Sequence, residues 1–201
     1  IYMWGGENRL GALRAKAGPI AGKIHRADPE MILQAAIFEI VSEQVNQIRI
    51  PKWVFTEFGL KPEQRNFSYE AMVYTDGHRR DQWSRGASVP DMSQLETRMW
   101  FVYIAACYID IGVEGIHFGQ VEIMDDRDPN HVHWRDMLAR VRRYAVKHAR
   151  RRLVLCDAHV PSGGIVHNGK LLFDLHSFPL RIEEVPDKPQ EGVLKVGYLD
   201  S

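Results

Sequence analysis

Five carboxylates follow apolar runs along this chain: Glu7 after Ile1–Gly6, Glu39 closing Ile32–Glu39, Glu122 closing Gly115–Glu122, Asp157 closing Leu153–Asp157 and Asp200 closing Val193–Asp200. An acid directly behind a buried apolar segment points over the top of the core. In parallel α/β folds ligands bind at the C-terminal edge of the sheet, so acids ending successive strands describe one shared acidic site. Two carboxylates in such a site can divide the work of general acid from that of base or nucleophile. Glu39 and Glu122 are the pair expected to do so, because each follows the most apolar approach and Glu reaches farther than Asp. Trp4, Glu7, Asp157, His159 and Asp200 are expected to bind substrate around them.

A second constellation competes for the same chemistry. Asp157-Ala158-His159 and Asp174-Leu175-His176 are both Asp-x-His, and alternation along a strand puts each pair on one face. With His117 they offer oxygen and nitrogen donors of the kind that hold zinc or another transition metal. No short metal motif such as His-Glu-x-x-His accompanies them, and Asp174 and His176 fall in a hairpin-like insertion. No residue is therefore assigned as a metal ligand, no cofactor is expected, and His159 is read as a hydrogen-bond partner of a substrate hydroxyl or a catalytic carboxylate. Trp4, Trp53, Trp83 and Tyr74 offer flat faces suited to stacking on a ring; packing of a long loop onto the core is the competing use.

The elements that must carry these residues follow from periodicity. Asp91 caps a helix through Leu95, Met99, Trp100, Val102, Tyr103 and Ala106, ended by Gly112. Gly115 to Met124 is a strand, Asp128-Pro129 opens a second helix through Trp134, Met137, Leu138, Val141 and Tyr144, and Leu153 to Cys156 is a fully apolar strand. Upstream, Ile1 to Trp4 is a strand, and Leu10 to Ile24 is a helix interrupted by Gly18-Pro19. Ile32 to Val41 is read as a strand over the competing helix. This alternation is the α/β pattern. Two excursions depart from it: an aromatic-rich inserted region over 42–90, with a short helix from Pro51 to Phe58, and an insertion over 161–185 with an Asn168-Gly169 turn. Five core strands result.

Composition narrows the function classes. The 201 residues are 45% hydrophobic and 26% charged, ordinary for one globular domain. Lys+Arg and Asp+Glu number 26 each, so little counterion-release drive exists and no nucleic-acid partner is expected. No apolar run approaches the roughly 20 residues of a membrane span. Cys107 and Cys156 sit in apolar runs as buried thiols rather than as a disulfide framework. There is no Gly-x-Ser-x-Gly elbow and no Walker-type loop. The basic cluster from Arg140 to Arg152 is read as the solvated face of its helix. The compartment and oligomeric state stay open.

Strand-end acids in Trp4-Gly5-Gly6-Glu7, Ile37-Phe38-Glu39 and Gly119-Gln120-Val121-Glu122, with aromatic-rich loops, resemble the (β/α)-barrel glycoside hydrolases. The resemblance implies a parallel TIM-type barrel, a carbohydrate substrate and two catalytic carboxylates on different strands. The Asn-Glu pair that marks the acid/base in the largest group of these enzymes is absent: Phe38 precedes Glu39, and Gln120 stands two before Glu122. A barrel needs eight strands, so five in 201 residues, opening at Ile1 rather than Met, are expected to be one incomplete barrel-like domain. The alternatives within this reading are a metal-dependent sugar isomerase or lyase, and a carbohydrate-binding barrel without turnover.

Overall fold

The computed structural model describes residues 1–160, 162, 164–177 and 180–196. Five strands form one sheet: β1 (Tyr2–Met3), β2 (Gln34–Ile37), β3 (Gly115–Gln120), β4 (Leu155–His159) and β5 (Leu175–Ser177). Every pairing is parallel, and the spatial order is the chain order. Parallel neighbours need crossovers, and right-handed crossovers in unbroken sequence stack on one side of a sheet. The helices are α1 (Leu10–Ala27), α2 (Leu95–Ile109) and α3 (Val132–His148).

Alternation in the strands explains which side they cover. Ala35, Ile37, Ile116, Phe118, Cys156 and Ala158 are buried. Phe118 meets Phe101 of α2 at 6.4 Å and Trp134 of α3 at 5.9 Å between ring centroids. The α2 helix is apolar almost all round, with twelve buried residues, as a helix between a sheet and an outer layer must be. Residues of the opposite parity face away: Tyr2 and Gln34 are exposed, and Ala36, Phe38, His117 and Asp157 are half-buried. They touch each other across the strands, Phe38 with Tyr2 at 5.6 Å and with His117 at 6.1 Å.

Several expectations need correction. The fifth core strand is Leu175–Ser177, not Val193–Asp200. Gly192–Val196 instead pairs antiparallel with Leu180–Glu184 in a separate ribbon, leaving Val193 and Leu194 exposed. A partner a few residues away across a turn costs less closure entropy than a distant sheet edge, and apolarity alone does not separate the two. Asp200 lies outside the described residues. β4 starts two residues later than expected, because Arg152 has a left-handed φ of 58° and Leu153 is exposed, so Asp157 sits within the strand rather than at its end. Glu122 has left the strand for a one-turn helix, Val121–Met124.

Among the helices, α1 runs unbroken through Gly18-Pro19. Ala15 and Pro19 are exposed, so water can take the carbonyl that proline cannot serve. The cap of α2 is Gln94, while the buried Asp91 accepts Ser93 N at 2.9 Å and Gln94 Nε2 at 3.2 Å. Gly112 does follow that helix, with φ 95°. The region 42–90 is no open loop: Phe55, Phe67, Tyr69 and Tyr74 are within 2% of full burial and join the main core. A two-residue ribbon, Val41–Ser42 with Ala87–Ser88, ties its ends together.

Candidate functional site

Trp4, Glu7, Glu39, Gln120 and Glu122 each end or follow a strand at the C-terminal edge of the sheet. The best-defined of them is Glu39. It follows β2, is 4% exposed, and both its oxygens are taken by one residue at the end of β3: Gln120 N donates to Oε2 at 2.9 Å and Gln120 Nε2 to Oε1 at 2.9 Å.

A local irregularity in β3 makes this grip. His117 is opposite Asp157 and Gln120 opposite His159, so three steps along β3 match two along β4. The extra residue is a bulge, and Gly119 holds it with φ 57°. A Cβ built on Gly119 would lie 1.9 Å from Glu39 Oε2. Only glycine satisfies both the left-handed conformation and the approach of the carboxylate. The bulge turns Gln120 to the side of His117 and Asp157, where strict alternation would have sent it toward the helices.

Glu7 is also buried, in a turn of 3-10 helix, Glu7–Arg9, behind the left-handed pair Gly5-Gly6. It accepts Ser42 N at 2.8 Å, and Ser42 Oγ donates to its other oxygen. Glu122 is different: it is half-buried, and its recorded partner is Ser162 N at 3.3 Å. Trp4 is 45% exposed and stands edge-on to Phe38 and to Trp83, at 5.4 and 5.1 Å. Trp83 Nε1 donates to Glu39 O at 2.8 Å, which ties the aromatic wall to the carboxylate segment. Beside it opens a cleft of about 330 Å³ lined by Trp4, Gly5, Gly6, Ser42, Glu43 and Arg85, among others.

The other expected residues are elsewhere. Asp157 pairs with His117 across β3 and β4, Oδ2 to Nδ1 at 2.6 Å, with Gln34 Nε2 at 3.4 Å from the same oxygen. That trio lies on the outward face of the sheet, below the Glu39 edge. His159 is buried opposite Gln120. Asp174 turns toward the helix layer, accepting Cys156 N at 2.7 Å and Arg142 at 3.2 Å. The aspartates of the two Asp-x-His pairs are thus spent on separate partners, and among the described residues no three His, Cys, Asp or Glu side chains converge as a metal site. Tyr74 is core, its hydroxyl donating to Ile123 O at 3.1 Å. Trp53 lines a cleft against α3.

One further acid follows this edge. Asp125 follows the Glu122 turn with its side chain 9% exposed, and His131 Nδ1 meets its Oδ2 while Oδ1 is buried without a partner. Burial, then the neighbouring charges of Asp128, Asp126 and Glu122, push its carboxyl up to about 8. Asp128 itself accepts the N–H groups of His133 and Trp134 at the start of α3. Four acids within seven residues were visible in the sequence; their burial was not.

No family model, curated protein or solved structure matches this chain.

Proposed function

We propose that the chain is a glycoside hydrolase built on the plan of a (β/α)-barrel, with Glu39 and Glu122 as its two working carboxylates. The observation that carries this reading is the pair's position: they follow neighbouring parallel strands at one sheet edge, the edge at which the exposed Trp4 lines a cleft with Gly5, Gly6 and Ser42. Parallel strands in unbroken spatial order are the arrangement of consecutive barrel strands, and barrel enzymes work at this edge. Glycosidic cleavage needs a carboxyl that donates a proton to the leaving oxygen and a second carboxylate that attacks the sugar or activates water.

The environments of the two acids suggest how they divide the work. Gln120 holds Glu39 in one orientation through two donors, which suits the carboxylate that must face the anomeric carbon. Glu122 is the more open of the two, half-buried where Glu39 is buried, which leaves it room to reach the leaving oxygen. Trp4 supplies a flat face for the sugar. The test is the hydrolysis of a panel of aryl glycosides by Glu39→Gln and Glu122→Gln, alongside binding of the same sugars. Loss of turnover by about 100-fold or more in both variants, with sugar binding retained, is the expected result. Unchanged turnover in either variant refutes the assignment of that residue. Sugar binding by the unaltered chain with no turnover of any glycan points instead to a binding barrel.

A further inference from the structure

Away from the sheet edge, the last turns of α3 carry two rows of side chains. Tyr144 and His148, one turn apart, form an aromatic row, their rings stacked at 4.0 Å and 14°. Arg143 and Lys147, also one turn apart, form a cationic row beside it. From the short helix Lys52–Glu57, Trp53 faces Tyr144 at 5.3 Å and 33°. Between the two helices lies a cleft of about 440 Å³ lined by all five residues with Thr56 and Glu57. That volume is in the range of roughly 300–1,000 Å³ typical of small-molecule sites.

The charges around the cleft are unequal. Glu57, the one acid in its lining, is held by Arg143 at 2.8 Å and approached by Arg140 at 3.5 Å, which commits Arg143 to it and leaves Lys147 as the lining cation with no ion pair among the described residues. Lys147 and His148 are exposed and bring further nitrogen donors to the rim. Trp53 keeps 36% of its surface open at the end of the three-ring row. A flat ring laid in the cleft can stack on these aromatic faces, while a negative group attached to it meets Lys147, which lines the same cleft. From this juxtaposition of an open aromatic stack and a cationic row we propose a binding site for a small planar anion, an aromatic ring bearing a phosphate or carboxylate. Stacking and charge then act on two ends of one ligand, so neither end alone is held well.

The probes are adenosine 5′-monophosphate, adenosine and inorganic phosphate, titrated into the full chain by calorimetry and by the NMR shift of the Trp53 indole N–H. The monophosphate is expected to bind at least about tenfold more tightly than either adenosine or phosphate, and to shift the Trp53 signal. Lys147→Ala and Trp53→Leu are each expected to weaken binding about tenfold, whereas Lys170→Ala, at an exposed site in another ribbon, leaves it unchanged. Lys147 is exposed, so its removal keeps the fold intact even where the Trp53 variant does not. Benzoate in place of the monophosphate separates the two anion sources: binding of both places the recognition in ring plus charge, and binding of the monophosphate alone narrows the ligand to phosphate esters. No binding of either anion, or binding that survives Lys147→Ala, overturns the proposal.

Discussion

Replacing Gly119 by alanine tests the grip on Glu39 directly. Two costs add at that position. An alanine at φ 57° pays the left-handed penalty, roughly 1–2 kcal/mol. Its Cβ would lie 1.9 Å from Glu39 Oε2 and 3.2 Å from Glu39 N, so the carboxylate must leave its place between the two Gln120 donors. Each such bond to a charged group contributes about 1.5–3 kcal/mol, and the site is buried. Partial recovery elsewhere leaves a total loss of about 3–5 kcal/mol. For a chain of this size that is a fall in Tm of roughly 10 °C. The matched control is Gly59→Ala, with φ 69° and nothing within 4 Å of the new Cβ, which carries the backbone penalty alone. Urea unfolding of both variants, followed by circular dichroism, measures the difference. If Gly119→Ala and Gly59→Ala cost the same to within about 1 kcal/mol, the bulge does not hold the carboxylate and the geometric reasoning fails.

Asp125 makes stability depend on pH in a defined direction. Its folded pKa of about 8 is above the unfolded value near 4, so the native state holds a proton that the unfolded state has released, and stability falls as pH rises across that window. Asp125→Asn is expected to flatten the fall, and equal slopes from pH 5 to about 8 in denaturant titrations would contradict it. Burial pushes the thiols of Cys107 and Cys156 up to about 11 and about 12. Both are expected to react with a thiol-specific chromogenic reagent only at the rate of unfolding; fast stoichiometric labelling of the native chain would refute this. Glu114 is 1% exposed and faces Arg150 at 2.8 Å, Arg151 at 3.2 Å and His25 at 3.8 Å. Glu114→Ala strands the two guanidinium groups and is expected to cost about 3 kcal/mol in urea unfolding.

Much of the layering was legible in the residues. Ile116 and Phe118 alternate with His117, and Trp134, Met137, Leu138 and Val141 repeat at helical spacing, so β3 and α3 could be drawn from pattern alone. Within Ile32 to Val41, Gln34–Ile37 resolved as a strand because its partners lie on both sides, at Tyr2–Met3 and Gly115–His117, a fact of tertiary pairing. Periodicity misled where a local partner competed with a distant one, as at Val193, whose hairpin mate is only ten residues away at Glu183. It was silent on the bulge. The string Phe118-Gly119-Gln120-Val121 gives an isolated glycine inside a strand, a known mark of a bulge or a close approach, yet which carboxylate approaches is set by the neighbouring strand. Tyr74 and Trp4 show the same limit: both are aromatic residues in irregular chain, one in the core and one at the cleft.

The acids at the sheet edge follow a rule that bears on their use. Glu7, behind β1, is bound by Ser42 from the segment behind β2, and Glu39, behind β2, is bound by Gln120 at the end of β3. Each acid is gripped by the strand that follows, so the row ties neighbouring strand ends together where the ladder of backbone hydrogen bonds has stopped. A buried carboxylate with a donor on each oxygen in this way is stable without any ligand. Such a tie by itself explains Glu7. It does not explain Glu39 so fully, because Trp83 and the cleft beside Trp4 open onto the same segment. Nor does it explain Glu122, whose side chain meets, among the described residues, Ser162 N at 3.3 Å and stays half-buried. A polar group kept at the edge of a core without a strong internal partner loses stability that an apolar residue would supply. Of the three, Glu122 is therefore the acid whose retention most requires something outside the fold.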